Sequence, residues 1–229
     1  MNLLKHQIFL SLSFLAACIS IIAGELNNRP IIAVLGQDAP PDYDRSYIAA
    51  SYVKYLESSG ARVVPVPSHM SDEEVEEIFH GVNGVLLPGG GVKWNVSGYY
   101  KHAKYFFGKA IEANKNGDYF PMWGTCLGFE TLNIIAAGNN TGDMSKFSAS
   151  DISLPLNYTD AAPTSRMFSG MPQDLYKAVG SEPITYNHHN FGISPDTYVK
   201  EKRLSNFFKI LSLNNGKDGK TFISSIEGK

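Results

Sequence analysis

The first half of the chain alternates short apolar runs with amphipathic segments. Four apolar runs, each ending at or near glycine or proline, predict buried strands of a parallel sheet: residues 30–35, 61–66, 84–87 and the run that starts at Phe120. Segments with apolar positions at helical spacing predict the helices between and after them: residues 46–58, 71–80, 99–114 and a segment that ends at Ala136. A capping-box pattern at Ser71–Glu74 and a glycine at Gly60 mark helix ends.

Strands and helices that alternate with short connections predict an α/β fold. We expect a mostly parallel, flavodoxin-like sheet with helices on both faces and right-handed crossovers. The active site of such a sheet lies beyond the carboxyl ends of its strands. Gln37, the Gly89-Gly90-Gly91 loop and Cys126 all follow predicted strands, so we expect them to meet at one edge.

The pattern is weaker past residue 140. We expect loop and irregular strand over residues 154–164, and a loop at Tyr186–Asn190. Residues 206–213 and 221–226 predict two strands, and the polar, glycine-containing segment Asn214–Gly219 predicts the turn that joins them as a hairpin.

The amino terminus differs from the rest of the 229 residues. Lys5 precedes an apolar run over residues 8–22, and the small residues Ala23 and Gly24 follow, which is typical of a secretory signal peptide. A retained signal anchor is the less favoured alternative. We therefore expect a signal peptide at 1–24, one domain at 25–229, and a secreted, lysosomal or vacuolar protein without a membrane segment after cleavage.

Glycosylation motifs and charge agree with this route. Asn95, Asn139 and Asn157 each begin an Asn-X-Ser/Thr motif. The net charge of −2 gives no reason to expect a nucleic acid or an anionic membrane surface as partner.

A single cysteine remains after removal of the signal peptide, because Cys18 lies in its apolar run. Cys126 has the spacing Gly124-x-Cys126-x-Gly128 between a predicted strand and a predicted helix, which is the layout of a nucleophile elbow. The helix end should favour the reactive thiolate. The alternative is a small buried apolar residue whose flanking glycines only allow close backbone approach.

The glycine loop at residues 89–91 predicts an oxyanion hole. The amide of Gly89 or Gly90, together with that of Leu127, could stabilise a carbonyl oxygen that gains negative charge. A phosphate-binding loop is the alternative, but the spacing fits neither of the two common phosphate motifs.

These motifs, with Asn187-His188-His189, resemble the γ-glutamyl hydrolases, which are peptidases (C26) of the class I glutamine amidotransferase-like group. Glu130 stands where the ammonia-transferring relatives carry glutamine. The resemblance implies that Cys126 attacks the γ-amide carbonyl of folylpoly-γ-glutamates and forms a thioester, without metal or organic cofactor. It also implies that His189 and Glu130 lie near this small-molecule substrate, whose carboxylates should meet basic side chains. The sequence does not show which basic residues these are; Arg45 and Lys93 are only near the relevant loops.

The general base of that family lies in a His-Pro-Glu segment, and no such segment occurs in these 229 residues. We expect a sequence that stops before it, with the carboxyl-terminal part of the fold missing. His69, His80 and His102 are expected at the surface, and His189 is only a weak substitute base. The alternatives are an inactive, secreted folate- or γ-glutamyl-binding module and, less favoured, a glutaminase subunit. A homodimer stays open.

Overall fold

The computed structural model describes residues 28–39, 45–94 and 96–229, so the predicted signal peptide lies outside the described residues. The strands are β1 Ile31–Leu35, β2 Gln37–Asp38, β3 Ser46–Tyr47, β4 Arg62–Val66, β5 Gly84–Leu87, β6 Met122–Gly124, β7 Ser145–Leu154, β8 Asn157–Tyr158, β9 Thr185–Gly192, β10 Phe208–Asn215 and β11 Thr221–Gly228. The helices are α1 Ala50–Ser58, α2 Asp72–Gly81, α3 Gly98–Lys115, α4 Leu127–Ala136, α5 Gln173–Ser181, α6 Pro195–Lys200 and α7 Lys202–Phe207.

The central sheet is parallel, with the strand order β4-β1-β5-β6. Ala33 of β1 pairs with Val64 on one side and with Val85 on the other, and Leu86 of β5 pairs with Trp123 of β6. All four residues of β5 are buried, which requires cover on both faces of the sheet. The predicted α/β class and its first four strands are therefore confirmed.

The main core lies between this sheet and the long helix α3. Phe106 of α3 is fully buried and packs with Phe79 and Phe120, with ring centroids 6.2 and 6.4 Å apart. At the start of α2, Ser71 and Glu74 form the predicted capping box. Among the described residues, none of the helices combines the length and the apolar character needed to cross a bilayer.

One predicted surface residue is in fact part of this core. His102 of α3 is 1% exposed, and its Nε2 lies 3.2 Å from the carbonyl oxygen of Met70. Burial lowers the pKa of its imidazole. The prediction for His102 was wrong because helical spacing places it on the packed face of α3, whereas His69 and His80 are exposed as expected.

The second half of the chain is antiparallel and contains strands that the sequence pattern did not predict. Strands β7 and β9 form a two-stranded ribbon, and β11-β10-β8 form a three-stranded sheet that includes the predicted hairpin. The loop expected at Tyr186–Asn190 is wrong, because these residues lie within β9. Polar residues occupy both faces of β9, so the alternation of apolar and polar positions that identifies a strand is absent.

Candidate active site

Cys126 lies at the junction between β6 and α4. Its backbone has φ 53° and ψ −112°, and the preceding residue, Thr125, donates its N–H to the carbonyl oxygen of Leu87 at 3.0 Å. A positive φ at a residue other than glycine costs on the order of 1–3 kcal/mol and persists only where the surrounding structure imposes it. The strand, turn and helix therefore hold this cysteine in the geometry of a nucleophile elbow.

The two flanking glycines make this turn sterically feasible. A Cβ on Gly128 would lie 2.1 Å from the carbonyl oxygen of Leu87, and one on Gly124 would lie 2.5 Å from the carbonyl oxygen of Gly128. Helix α4 thus begins directly against the backbone of β5. The GxCxG spacing exists because no side chain fits at either glycine.

The side chain of Cys126 is a free thiol and is exposed, which rules out the alternative of a small buried apolar residue. Desolvation by the surrounding atoms, followed by the negative charge of Glu130, raises the pKa of the thiol. The backbone N–H groups of Leu127 and Gly90 act in the opposite direction, as hydrogen-bond donors to the sulfur. The expectation that the turn favours the thiolate is thus correct for these amides but wrong for the net pKa, because desolvation by neighbouring atoms and the charge of Glu130 outweigh them.

The contacts of the glycine loop distinguish the N–H of Gly89 from that of Gly90. The N–H of Gly89 donates to the hydroxyl of Tyr52 at 2.9 Å, whereas the N–H of Gly90 acts on Cys126. Of the two glycine amides that the sequence left open, Gly90 is therefore the one placed beside Leu127 at the sulfur. Two N–H donors at the sulfur stabilise its thiolate form, and an oxyanion hole at these groups stays a prediction, because it requires the donors to meet the carbonyl oxygen of a bound substrate.

Glu130 lies one helical turn after Cys126 in α4. It is 8% exposed, and no hydrogen bond or ion pair reaches its carboxylate from the residues that the structure describes. Desolvation raises the pKa of this carboxyl from 4.5 to about 7. Burial without a partner is costly for a charge, so this group changes its protonation state near neutral pH.

Both ring nitrogens of His189 contact residues of its own strand, β9. Its Nδ1 lies 2.9 Å from the carbonyl oxygen of Phe191, its Nε2 lies 3.3 Å from Oδ1 of Asn187, and its ring packs edge-on against Phe222 at 4.8 Å. Burial lowers the pKa of its imidazole. Phe191 of strand β9 packs on Trp94, three residues after the glycine loop, with the two ring centroids 5.6 Å apart.

A cleft of about 700 Å³ adjoins the end of the glycine loop, and Tyr47, Gly91 and Lys93 are among the residues that line it. In the described part of the chain, no three His, Cys, Asp or Glu side chains are grouped in a way that could hold a metal ion.

The structure describes two of the three predicted glycosylation residues. Asn139 and Asn157 are exposed, and Oδ1 of Asn139 accepts a hydrogen bond from the hydroxyl of Tyr100 at 2.7 Å. Asn95 lies outside the described residues. Glycosylation at these positions stays a prediction.

Two side chains that contact the glycine loop, Gln37 and Tyr52, were not assigned a role from the sequence. Gln37 follows β1 at the expected edge of the sheet, and this position was the only signal for it. Tyr52 belongs to the apolar stripe of α1, so its pattern does not differ from that of a core residue.

Fold and site together define a class: an α/β protein with a cysteine at a nucleophile elbow and two backbone amides facing its sulfur. Residues 30–213 match the family model described as peptidase C26. The chain belongs to this family.

Curated relatives agree with this assignment. The chain is 47% identical to γ-glutamyl hydrolase of Mus musculus over 88% of this chain and 64% of that protein. It is 42% identical to γ-glutamyl hydrolase of Homo sapiens over 90% of this chain and 65% of that protein. It is 41% identical to γ-glutamyl hydrolase B of Dictyostelium discoideum over 89% of this chain and 60% of that protein. The chain thus spans less than two thirds of the length of these relatives.

The fold is similar to that of a glutaminase domain. The structure of the glutaminase domain of Trypanosoma brucei CTPS with bound acivicin aligns with a TM-score of 0.54 and 14% identity. The alignment covers 87% of this chain and 81% of that domain. This agrees with the fold predicted for the class I glutamine amidotransferase-like group.

Proposed function

We propose that the chain hydrolyses γ-glutamyl amide bonds of folylpoly-γ-glutamates through a thioester at Cys126. The observation that carries this proposal is an accessible cysteine sulfur at a strained elbow, faced by the N–H groups of Gly90 and Leu127. The family match and the relatives named γ-glutamyl hydrolase support the choice of bond.

The steps follow from the chemistry of a thiol nucleophile. The thiol of Cys126 gives its proton to a base, and the sulfur attacks the γ-carbonyl carbon. The carbonyl oxygen becomes negative and accepts hydrogen bonds from Gly90 and Leu127. The carbon–nitrogen bond breaks, the amine leaves with a proton, and a thioester remains. Water then adds to the thioester, the sulfur–carbon bond breaks, and a γ-carboxylate and the free thiol result.

A proton acceptor is required in this scheme because the pKa of the Cys126 thiol is raised. The family resemblance gives this role to a histidine of a His-Pro-Glu segment, and the motif does not occur in the 229 residues. Turnover by this chain is therefore the decisive measurement.

Glu130 and His189 are proposed to contact the substrate. The Glu130 carboxyl has no protein partner among the described residues, and its pKa of about 7 lets it donate a hydrogen bond to a substrate carboxylate when protonated. His189 is half-buried on β9, the strand whose Phe191 packs on Trp94, three residues after the glycine loop. Lys93, in the wall of the adjoining cleft, is proposed to meet carboxylates of the glutamate tail.

The test is to incubate the chain with a folate pentaglutamate and to follow glutamate or shorter γ-glutamyl peptides by mass spectrometry. We expect release by the native chain and none by Cys126→Ser, which keeps the size of the side chain but lacks the thiolate. Binding of the substrate without any release would reject hydrolysis and would favour the binding-module alternative.

The compartment and the oligomeric state also stay proposals. We propose passage through the secretory route to the extracellular space, a lysosome or a vacuole, supported by the exposed Asn139 and Asn157 motifs. A homodimer is proposed only as the simplest assembly to test, by sedimentation of the purified chain.

A further inference from the structure

We infer that Gln37 is the positioning residue of the oxyanion hole. Its side-chain amide holds the Gly89–Gly90 peptide in the one orientation that directs the N–H of Gly90 at the sulfur of Cys126. The inference rests on the proposed function in one respect: a turnover assay of Gln37 requires that the chain hydrolyses its substrate. The orientation of the Gly89–Gly90 peptide can also be tested without hydrolysis.

The side chain of Gln37 contacts the backbone on both sides of Gly90. It is 1% exposed, its Nε2 donates to the carbonyl oxygen of Gly89 at 2.6 Å, and its Oε1 accepts from the N–H of Gly91 at 3.2 Å. The carbonyl of Gly89 and the N–H of Gly90 belong to the same planar trans peptide and point in opposite directions. Fixing the carbonyl oxygen therefore fixes the direction of the N–H.

Two tyrosines bind the neighbouring backbone groups of the loop. The hydroxyl of Tyr99 donates to the carbonyl oxygen of Pro88 at 2.8 Å, and the hydroxyl of Tyr52 accepts from the N–H of Gly89 at 2.9 Å. With Gln37 in place, the N–H groups of Gly89 and Gly91 both have side-chain partners. The N–H of Gly90 is the one directed at Cys126.

The side chain of Gln37 occupies the space next to the Cα of Gly90. A Cβ on Gly90 would lie 1.7 Å from Oε1 of Gln37, so a side chain at residue 90 would displace the Gln37 amide from its hydrogen bonds to the loop. A run of three glycines has little intrinsic preference for one peptide orientation. Without the two hydrogen bonds of Gln37, we expect the Gly89–Gly90 peptide to turn and the N–H to leave the site.

The first experiment compares two reagents that react with the same sulfur. The sulfur of Cys126 adds to the aldehyde carbon of N-benzoyl-glutamate γ-semialdehyde to form a hemithioacetal. The carbon–oxygen double bond becomes a single bond, the thiol proton passes to the oxygen, and this oxygen takes the position of the oxyanion. Iodoacetamide alkylates the sulfur by displacement of iodide and needs no oxyanion hole. We expect Gln37→Met, which keeps the length but loses the hydrogen bonds to Gly89, Gly91 and Tyr47, to weaken aldehyde binding about 10- to 100-fold while the alkylation rate changes less than about threefold.

The second experiment uses protonation to restore the contact. In Gln37→Glu only the protonated carboxyl can donate to the carbonyl oxygen of Gly89, whereas the other oxygen can still accept from Gly91. We expect aldehyde affinity, relative to the native chain at each pH, to recover as the pH falls through the pKa of the new carboxyl. This variant also keeps the test valid if Gln37→Met does not fold.

Asn214 provides the matched control. It is 3% exposed, and its Nδ2 donates to the carbonyl oxygen of Pro155 at 2.7 Å, in the antiparallel sheet. Asn214→Leu and Asn214→Asp should lower stability but leave the ratio of aldehyde affinity to alkylation rate unchanged.

Unchanged aldehyde binding in folded Gln37→Met, or no pH-dependent recovery in Gln37→Glu, would overturn the inference. So would a native chain that is alkylated normally but does not bind the aldehyde. In the turnover assay we expect kcat to fall with KM nearly unchanged. A native chain that releases neither glutamate nor shorter γ-glutamyl peptides would defeat the proposed hydrolysis, while the aldehyde comparison would still test the role of Gln37.

Discussion

The buried carboxyl of Glu130 leads us to a quantitative prediction about how the free energy of unfolding depends on pH. The substitution Glu130→Gln removes the ionisable group and keeps its shape. Because the folded-state pKa is raised from 4.5 to about 7, the folded protein binds more protons than the unfolded chain between these values. The free energy of unfolding therefore falls as the pH rises from about 4.5 to about 7, and stays low above that.

The magnitude follows from the size of the shift. At about 1.4 kcal/mol per pH unit, a rise from 4.5 to about 7 corresponds to about 3 kcal/mol of destabilisation by the ionised carboxylate. We expect Glu130→Gln to be more stable than the native chain by up to about 3 kcal/mol at pH 8, and by little at pH 4.5.

The same variant should change the thiol. Glu130 follows Cys126 by four positions in the chain, and its negative charge is one of the causes that raise the pKa of the thiol. Removing this charge lowers the pKa of the Cys126 thiol, so we expect the pH midpoint of alkylation to fall.

Urea unfolding at pH 4.5 and pH 8, and iodoacetamide alkylation across pH, measure the two effects. Glu57→Gln, at an exposed position of α1, is the matched control and should change neither. Equal stability of Glu130→Gln and the native chain at pH 8, with an unchanged alkylation midpoint, would refute an unpaired, desolvated carboxyl beside the sulfur.

Two further predictions concern the elbow and the cleft. Gly128→Ala should lower the free energy of unfolding by about 3 kcal/mol or more in urea titrations, because its Cβ would lie 2.1 Å from the carbonyl oxygen of Leu87. Gly108→Ala, in α3 with open space around its Cβ, should instead gain about 0.5–1 kcal/mol, and similar losses in both variants would contradict the steric account. Lys93→Gln should raise KM for long glutamate tails with little change in kcat, measured against tail length. Lys54→Gln on α1 is the control, and an equal KM for short and long tails would count against the role of Lys93.

The parallel half of the fold could be predicted from sequence because its signals are local. Buried parallel strands appear as continuous apolar runs, and the helices carry their own spacing and caps. The elbow could be predicted for the same reason, since Gly124, Cys126 and Gly128 are neighbours in the chain. The ribbon of β7 and β9 could not be predicted, because β9 has polar residues on both faces and so lacks the alternation of apolar and polar positions that identifies a strand.

The tertiary structure alone decided the chemistry around the sulfur. Which glycine amide faces Cys126 depends on Gln37 and Tyr52, which are 52 and 37 residues from Gly89 along the chain. The raised pKa values of Glu130 and Cys126 depend on desolvation by residues that the fold packs around them. Residue type and spacing determine which groups can react, whereas burial and hydrogen-bond partners, which arise only when distant segments meet, determine their protonation and orientation.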